Sequence, residues 1–360
     1  MKRAYLRLPK GLCTSQEWAE IGRQSMYTTK SMWRRPFVTT TQTYRVKKLL
    51  DGLVIGEIDK NLGECSAACP VLYHEALERA YGESAGYANI HPKKCTRDMK
   101  KRHGSDVSKY VISTDPARAN QAGDDRHIVL GWKHAYKTLG WNKYGTFDNT
   151  GGINTVYGLF KKKNICDPEV RKTKWVKLRP IAPSTKHPMK TVLHRAGKAW
   201  HFISTQLTGE HFVINSTRDV PKFFGRAQEI LKSHAGELQI TVQDIEGCYP
   251  NMPKHIIVQA ARDITAELQK EGKEGVWVPK RGKQKCQWTA TTKQKHRLLW
   301  MPLIDLVEIL QFSLDHAVVK MPDGTYKRQV QGIPMGDALS PGATICTCAW
   351  MEKEYMRSLH

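Results

Sequence analysis

Between Leu238 and Leu268 the apolar period changes from two to 3.6, and no other feature constrains the fold as tightly. Leu238, Ile240, Val242 and Asp244 alternate onto one face, so a strand carrying an apolar stripe ends on a carboxylate. Ile256, Ile257, Ala260, Ile264 and Leu268 then share one side of a helix, with Pro253 suited to its first turn. A strand must pair and a helix must bury its stripe, so both periods in one stretch demand a sheet with helices packed on it.

The segments that follow complete the pattern. Residues 276–297 read as a basic, Trp-containing connection, and an apolar helix is expected from Leu298 to about Leu314. Residues 317–331 read as a hairpin around Pro322-Asp323-Gly324. Gly332 to Met356 is a Gly-rich turn entering a helix, with Ser340 as the expected N-cap and Pro341 at the first helical position. The order helix, strand, helix, helix, hairpin, helix specifies an α+β fold with an antiparallel component. Upstream, Val192, Leu193, Ala196, Trp200 and Ile203 recur at helical spacing, with Lys190, Arg195 and Lys198 elsewhere around the same helix. Such a helix packs inward and presents cations outward, either to solvent or to a phosphate backbone.

Charge narrows the partners. Lys and Arg number 57 against 34 Asp and Glu, a net charge of +23. That surplus favours a polyanion, because each neutralised phosphate releases condensed counterions. No apolar run approaches the roughly 18 residues of a spanning helix, and no lipidation motif is present, which favours nucleic acid over a membrane. The nine cysteines form no repeating pattern, and reduced thiols in an intracellular compartment, nuclear or cytoplasmic, are expected. Cys65 and Cys69, with His91, Cys95 and His103, are too loosely spaced for a common zinc site. The N-terminus lacks the apolar core of a secretory signal, while its Arg, Ser and Thr content through Tyr44 leaves an organellar transit peptide open.

Asp244 in "QITVQDIEGCYPNMPK" and the segment "QGIPMGDALSPG", Gln331 to Gly342, stand in the order and separation of motifs A and B of reverse transcriptases. The pair most resembles retroelement enzymes of the non-LTR, Penelope-like and group II intron kind. "EIDKNLGECSAACPVLYHEAL" resembles the N-terminal fingers segment of that family, "YGLFKKKN" the motif that brings a lysine to the incoming nucleotide, and "KLRPIAPSTKHPMK" the motif with the triphosphate-binding arginine. The resemblance runs from Leu53 to the C-terminus. It implies right-hand polymerase fingers over 53–235 and an incomplete palm over 236–360, without a thumb, after a basic extension at 1–52.

The resemblance also implies roles. Asp244 would be catalytic and, with the backbone carbonyl of Ile245, would hold two Mg²⁺ ions, for which Mn²⁺ could substitute. Tyr249 would fill the space of a ribose 2′-hydroxyl and so select deoxynucleotides. Arg179, with Lys161 or Lys163, would grip the triphosphate, and Gln331 and Gly332 would form the turn against the nascent base pair. Lys60, Lys186, Lys190 and Arg195 would contact nucleic acid, and "PKRGKQK" at Pro279 to Lys285 would be a solvated loop or a phosphate track. The partners implied are an RNA template, a DNA or RNA primer and deoxynucleoside triphosphates. Asp337 is expected to tie down its loop rather than bind metal. The second carboxylate motif of the family is missing, because no aspartate follows Pro341. Asp124-Asp125 could replace it only in a permuted enzyme, and a surface loop is preferred there. These residues alone are therefore expected to polymerise little. An RNA-directed RNA polymerase and a catalytically silent nucleic-acid-binding remnant are the alternatives.

Overall fold

The computed structural model describes residues 48, 50–59, 61–90, 125–161, 177–207, 213, 220–221, 224–225, 245, 247–282 and 284–359. The expected strand from Leu238 to Asp244 lies outside them, as do Lys60, Asp124 and Lys163. The chain divides into two compact units, residues 1–55 and 56–360. The second carries the core and the candidate site.

The fold is mixed α+β. Strands β1 (Val54–Ile58) and β2 (Asn61–Ala68) join β4 (Tyr157–Phe160) and β5 (Leu178–Ile181) in a mixed sheet of order β2-β1-β4-β5. β1 runs parallel to β4 with Ile58 opposite Phe160, whereas β4 and β5 are antiparallel with Leu159 opposite Arg179. Helix α1 (Pro70–Ala80) buries Ala76 and Leu77 in a core shared with Phe160 and Leu178. Its Tyr73 hydroxyl donates to Gly158 O at 3.1 Å and accepts from Gly158 N–H at 2.8 Å, fixing helix to sheet. A second sheet has the order β3 (Tyr87–Ile90), β9 (Tyr326–Gln329), β8 (Val318–Lys320), all antiparallel. The β8–β9 hairpin turns at Pro322-Asp323-Gly324, where Asp323 Oδ1 accepts Thr325 N–H at 2.9 Å.

The larger core gathers around helices. Between β3 and β4 runs α2 (Asp125–Thr138); α3 (Lys190–Thr205) follows β5. A single turn, α4 (Cys248–Asn251), precedes α5 (Lys254–Lys270). The hairpin β6 (Gly275–Pro279) and β7 (Leu298–Pro302) encloses the short α6 (Thr292–Lys295) and leads into α7 (Leu303–Asp315), and α8 (Ser340–Ser358) ends the described chain. Val192, Leu193, Ala196, Trp200 and Ile203 of α3 are all buried, as their spacing requires. α3 also packs on α8, where Gly197 lies so close to Ala338 O that a Cβ there would stand 2.3 Å from it. No helix of the described residues is long and apolar enough to cross a membrane.

Three expectations need correction. The helix expected from Leu298 begins only at Leu303, because residues 298–302 are strand β7, paired with β6 from Gly275↔Pro302 to Pro279↔Leu298. A short apolar run does not separate buried strand from buried helix; Pro302 does, since it pushes Met301 out of the helical region. Ser340 is the first residue of α8, Leu339 is its N-cap, and Pro341 follows one position later than expected. Asp125 opens helix α2 instead of sitting in a loop. It accepts from Lys320 Nζ at 3.1 Å and from the Tyr326 hydroxyl, so it ties α2 to the β8–β9 hairpin and is not poised on a hairpin of its own. Burial alone would raise its pKa, but those two donors hold it below the usual carboxylate range.

Candidate functional site

Gly247, at φ +61°, turns the chain into α4 and sets Tyr249 half-buried against the larger core. Ile245, just before the turn, is 68% exposed. The Gln331–Gly342 segment folds directly onto this corner. Gly332 has φ +81°, and a Cβ there would stand 2.5 Å from both Tyr249 O and Pro250 O. Only a bare glycine fits both the left-handed conformation and that approach. Ile333 N–H then donates to Tyr249 O at 2.8 Å, and Gln331 Nε2 reaches Asn251 O at 3.4 Å. On the far side, Gly86 O accepts from Val330 N–H at 2.8 Å and Gln331 N–H at 3.2 Å, so the turn is held from two directions.

The strand bearing Arg179 joins the same place. Ala182 N–H donates to Met335 O at 2.8 Å, and the Ser184 hydroxyl donates to Gly336 O at 3.2 Å. Arg179 reaches across β4 to Asp59, with Nη2 3.0 Å from Oδ2, and about a third of its side chain, 34%, remains exposed. Asp59 is itself fixed, its N–H donating to Phe160 O at 2.8 Å. Burial pushes the Tyr249 phenol above its ordinary pKa, while the Thr344 hydroxyl beside it and, more weakly, the Arg179 cation pull the other way. Thr344 is buried, and its hydroxyl lies beside the Tyr249 phenol.

Asp337 anchors the loop between the turn and α8. Its carboxylate accepts from Ser313 Oγ at 2.6 Å and from Leu339 N–H at 3.1 Å, and full burial raises its pKa. A carboxylate so bonded holds backbone in place. Among the described residues, no group of three His, Cys, Asp or Glu could hold a metal. Asp244, the expected ligand, lies outside them.

The loop after β5 presents the expected cations. Asn154 Oδ1 accepts from Thr185 Oγ1 at 3.0 Å and Lys186 N–H at 3.1 Å, and His187 stacks on Trp132 with ring centroids 4.4 Å apart. Burial pushes the His187 imidazole down to about 4, so it is neutral at ordinary pH and accepts Met189 N–H through Nδ1. Lys186 is left exposed, and Lys190 pairs with Asp148 at 3.3 Å. Arg195 is a strut: Nη1 donates to Tyr144 O at 2.5 Å and Nη2 to Lys280 O at 3.2 Å. Lys161 is exposed at the end of β4, its N–H bonded to Lys177 O.

The folding thus brings Tyr249, Gln331, Gly332 and Arg179 into one neighbourhood, and sets Lys186, Lys190 and Arg195 along the adjoining loop and helix. Sequence reasoning passed over Asp59, the partner of Arg179, because Lys60 beside it drew the attention. A link across the intervening strand β4, between residues 120 positions apart, leaves no periodic trace. It also passed over Thr344, which looks like an ordinary helix residue until α8 is placed against Tyr249.

No family model matches the chain, and no curated protein matches it. Among solved structures the chain is similar to a telomerase from Candida albicans, determined in complex with a TWJ fragment of telomeric RNA. The two are 11% identical, with a TM-score of 0.48 over 87% of this chain and 43% of that one. The chain thus spans less than half of that telomerase chain.

Proposed function

We propose that the chain is the fingers and part of the palm of a reverse transcriptase, which adds deoxynucleotides to a primer on an RNA template. The observation that carries this reading is the contact of two motif-like segments about 80 residues apart in sequence: Gly332 against the carbonyls of Tyr249 and Pro250, beside Arg179. In the resemblance that the sequence suggests, those residues serve one nucleotide. Tyr249 closes the space of a 2′-hydroxyl, Arg179 grips phosphate with the part of its fork not facing Asp59, and the Gln331–Gly332 turn lies against the base pair. Lys161 and Lys163 would add point charge to the triphosphate. Asp244, with the Ile245 carbonyl, would hold Mg²⁺, which supplies activation of the primer hydroxyl and stabilisation of the departing pyrophosphate.

The test is nucleotide binding by the full chain with Mg²⁺ and a primer annealed to RNA. Deoxynucleotides are expected to bind at least about tenfold more tightly than ribonucleotides, a gap of about 1.4 kcal/mol, and Tyr249→Ala should close it. A gap that persists in that variant removes the steric gate, whereas ribonucleotides bound as tightly as deoxynucleotides by the native chain would favour an RNA-directed RNA polymerase. A second reading is a binding remnant without chemistry. It would be supported by nucleotide binding that ignores Mg²⁺ and is unchanged in Asp244→Asn. Primer extension by this chain alone is expected to be slight, since its residues offer one of the two carboxylate sites.

A further inference from the structure

Positive charge gathers away from the Tyr249 corner, where α3 meets the β6–β7 hairpin. Two hollows adjoin there. One, of about 340 Å³, is lined by Lys190, His194 and Lys198 on α3 together with Ser184 and Ala338. The other, of about 630 Å³, is lined by Arg281, His296 and Arg297 at the hairpin end. Arg195 and Lys280 belong to both, so the hollows form one trough. Arg195 builds it: by bonding Tyr144 O and Lys280 O it draws the end of β6 beside the helix.

The trough is rich in cations and poor in counterions. Among the described residues, Asp148 is the carboxylate ion-paired to any of these side chains, and it reaches Lys190 alone. The crowding has an electrostatic cost. Burial lowers the Arg195 and His194 pKa values, and neighbouring cations lower them further, Arg281 for the first and Lys198 and Arg195 for the second. A chain of phosphates would relieve that repulsion along its whole length, whereas one small anion would relieve it at one end. Among the described lining residues there is no Trp, Phe or Leu that could enter a bilayer, and no Trp, Tyr or Phe ring on which a base could stack; His194 and His296 are its aromatic side chains.

We infer that this trough binds the sugar–phosphate backbone of a nucleic acid strand, without reading its sequence, and that Arg195 is a positioning residue within it. Ala338, in the loop that begins with the Gly332 turn, is part of its lining, so a strand lying in the trough would pass that loop. The inference rests on charge and shape and does not require the nucleotide chemistry proposed above.

The experiment is fluorescence anisotropy of the full chain with a short labelled single-stranded RNA across a salt series, without Mg²⁺ or nucleotide. The variant Lys198→Gln/Arg281→Gln/Arg297→Gln is compared with Lys137→Gln/Arg262→Gln/Lys270→Gln, which removes the same charge from other surfaces, and circular dichroism checks the fold of both. The trough variant should weaken binding at least about tenfold and flatten the log–log salt slope by about 2, from roughly 0.7 for each of three lost contacts. The second variant should stay within about twofold, and a scrambled RNA should behave alike. Loss on duplex RNA as well extends the trough to both forms. Equal losses in the two variants would mean binding spread over the net charge and would overturn the inference. So would a loss confined to phosphatidylserine vesicles. With nucleotide and Mg²⁺ left out, a chain that fails the deoxynucleotide test can still pass this one, and the reverse.

Discussion

At the scale of single residues, the corner depends on two carbonyls and a missing side chain. Gly324 supplies a natural control for Gly332: it has φ +88° in the hairpin turn but nothing within 4 Å of a built Cβ. Gly324→Ala should therefore cost only the left-handed strain, about 1–2 kcal/mol. Gly332→Ala adds contacts at 2.5 Å with Tyr249 O and Pro250 O, which rigid backbone cannot relieve, and should cost roughly 1–3 kcal/mol more. Urea unfolding at constant m-value measures both. Equal costs would mean that the turn does not press on the corner. Asp337 makes a parallel case. Asp337→Asn keeps groups able to bond Ser313 and Leu339 and should be tolerated. Asp337→Ala orphans both donors and should lose about 1–3 kcal/mol in the same assay.

Elements are joined here by buried polar pins, and Lys254 is the clearest. From the first turn of α5 its ammonium donates to Leu314 O, near the end of α7, and to Gln329 O of β9, at 2.5 Å. Burial pushes its pKa down from 10.5 to about 8. The folded state therefore releases this proton more readily than the unfolded chain, and the contribution to stability rises with pH between about 8 and about 10.5. The Cys286 and Cys348 thiols, each raised by burial from 9.0 to about 11, act in the opposite sense once pH exceeds 9.0. The measurement must isolate the lysine. The stability difference between the native chain and Lys254→Met should widen from pH 8 to pH 10 by on the order of 2 kcal/mol. A difference that stays flat would mean that the ammonium is solvated.

The same scale shows what could be read in advance. The α3 stripe and the β8–β9 hairpin were legible because their signals are local: a 3.6-residue period over five apolar positions, and a Pro-Asp-Gly turn between short β-rich runs. The boundary at Pro302 was not, because "LLWMPLI" is an unbroken apolar run that suits a buried strand and a buried helix equally. Pairing with β6, some twenty residues earlier, decides it, and pairing is not a local property. Likewise Asp125 carried an apparent Asp-Asp signal, yet its partners Lys320 and Tyr326 lie about 200 residues away. At the candidate site, Tyr249, Gln331, Gly332 and Arg179 could be singled out by motif. Asp59, and the meeting of the "PKRGKQK" cations with α3, became visible only once strands and helix were placed.

For the whole molecule, the two proposed binding places can be separated by what each ligand protects. The corner is assembled from residues 178–184, 247–252 and 331–339, linked by the bonds of Ala182 to Met335 and Ile333 to Tyr249. The trough is assembled from α3 and residues 280–297. Hydrogen exchange follows backbone opening segment by segment, so it can assign each ligand to its own set. A deoxynucleotide with Mg²⁺ should slow exchange in all three corner segments together and leave residues 280–297 unchanged. Single-stranded RNA alone should slow residues 280–297 and the exposed turns of α3, with the 247–252 segment following only when nucleotide is added. The order matters physically, since a backbone held in the trough raises the local concentration of primer and template at the corner without touching Tyr249. If nucleotide alone protects the hairpin, the two places are one cooperative unit; if RNA alone protects the corner fully, strand binding and nucleotide selection share a single surface, and the division proposed here is wrong.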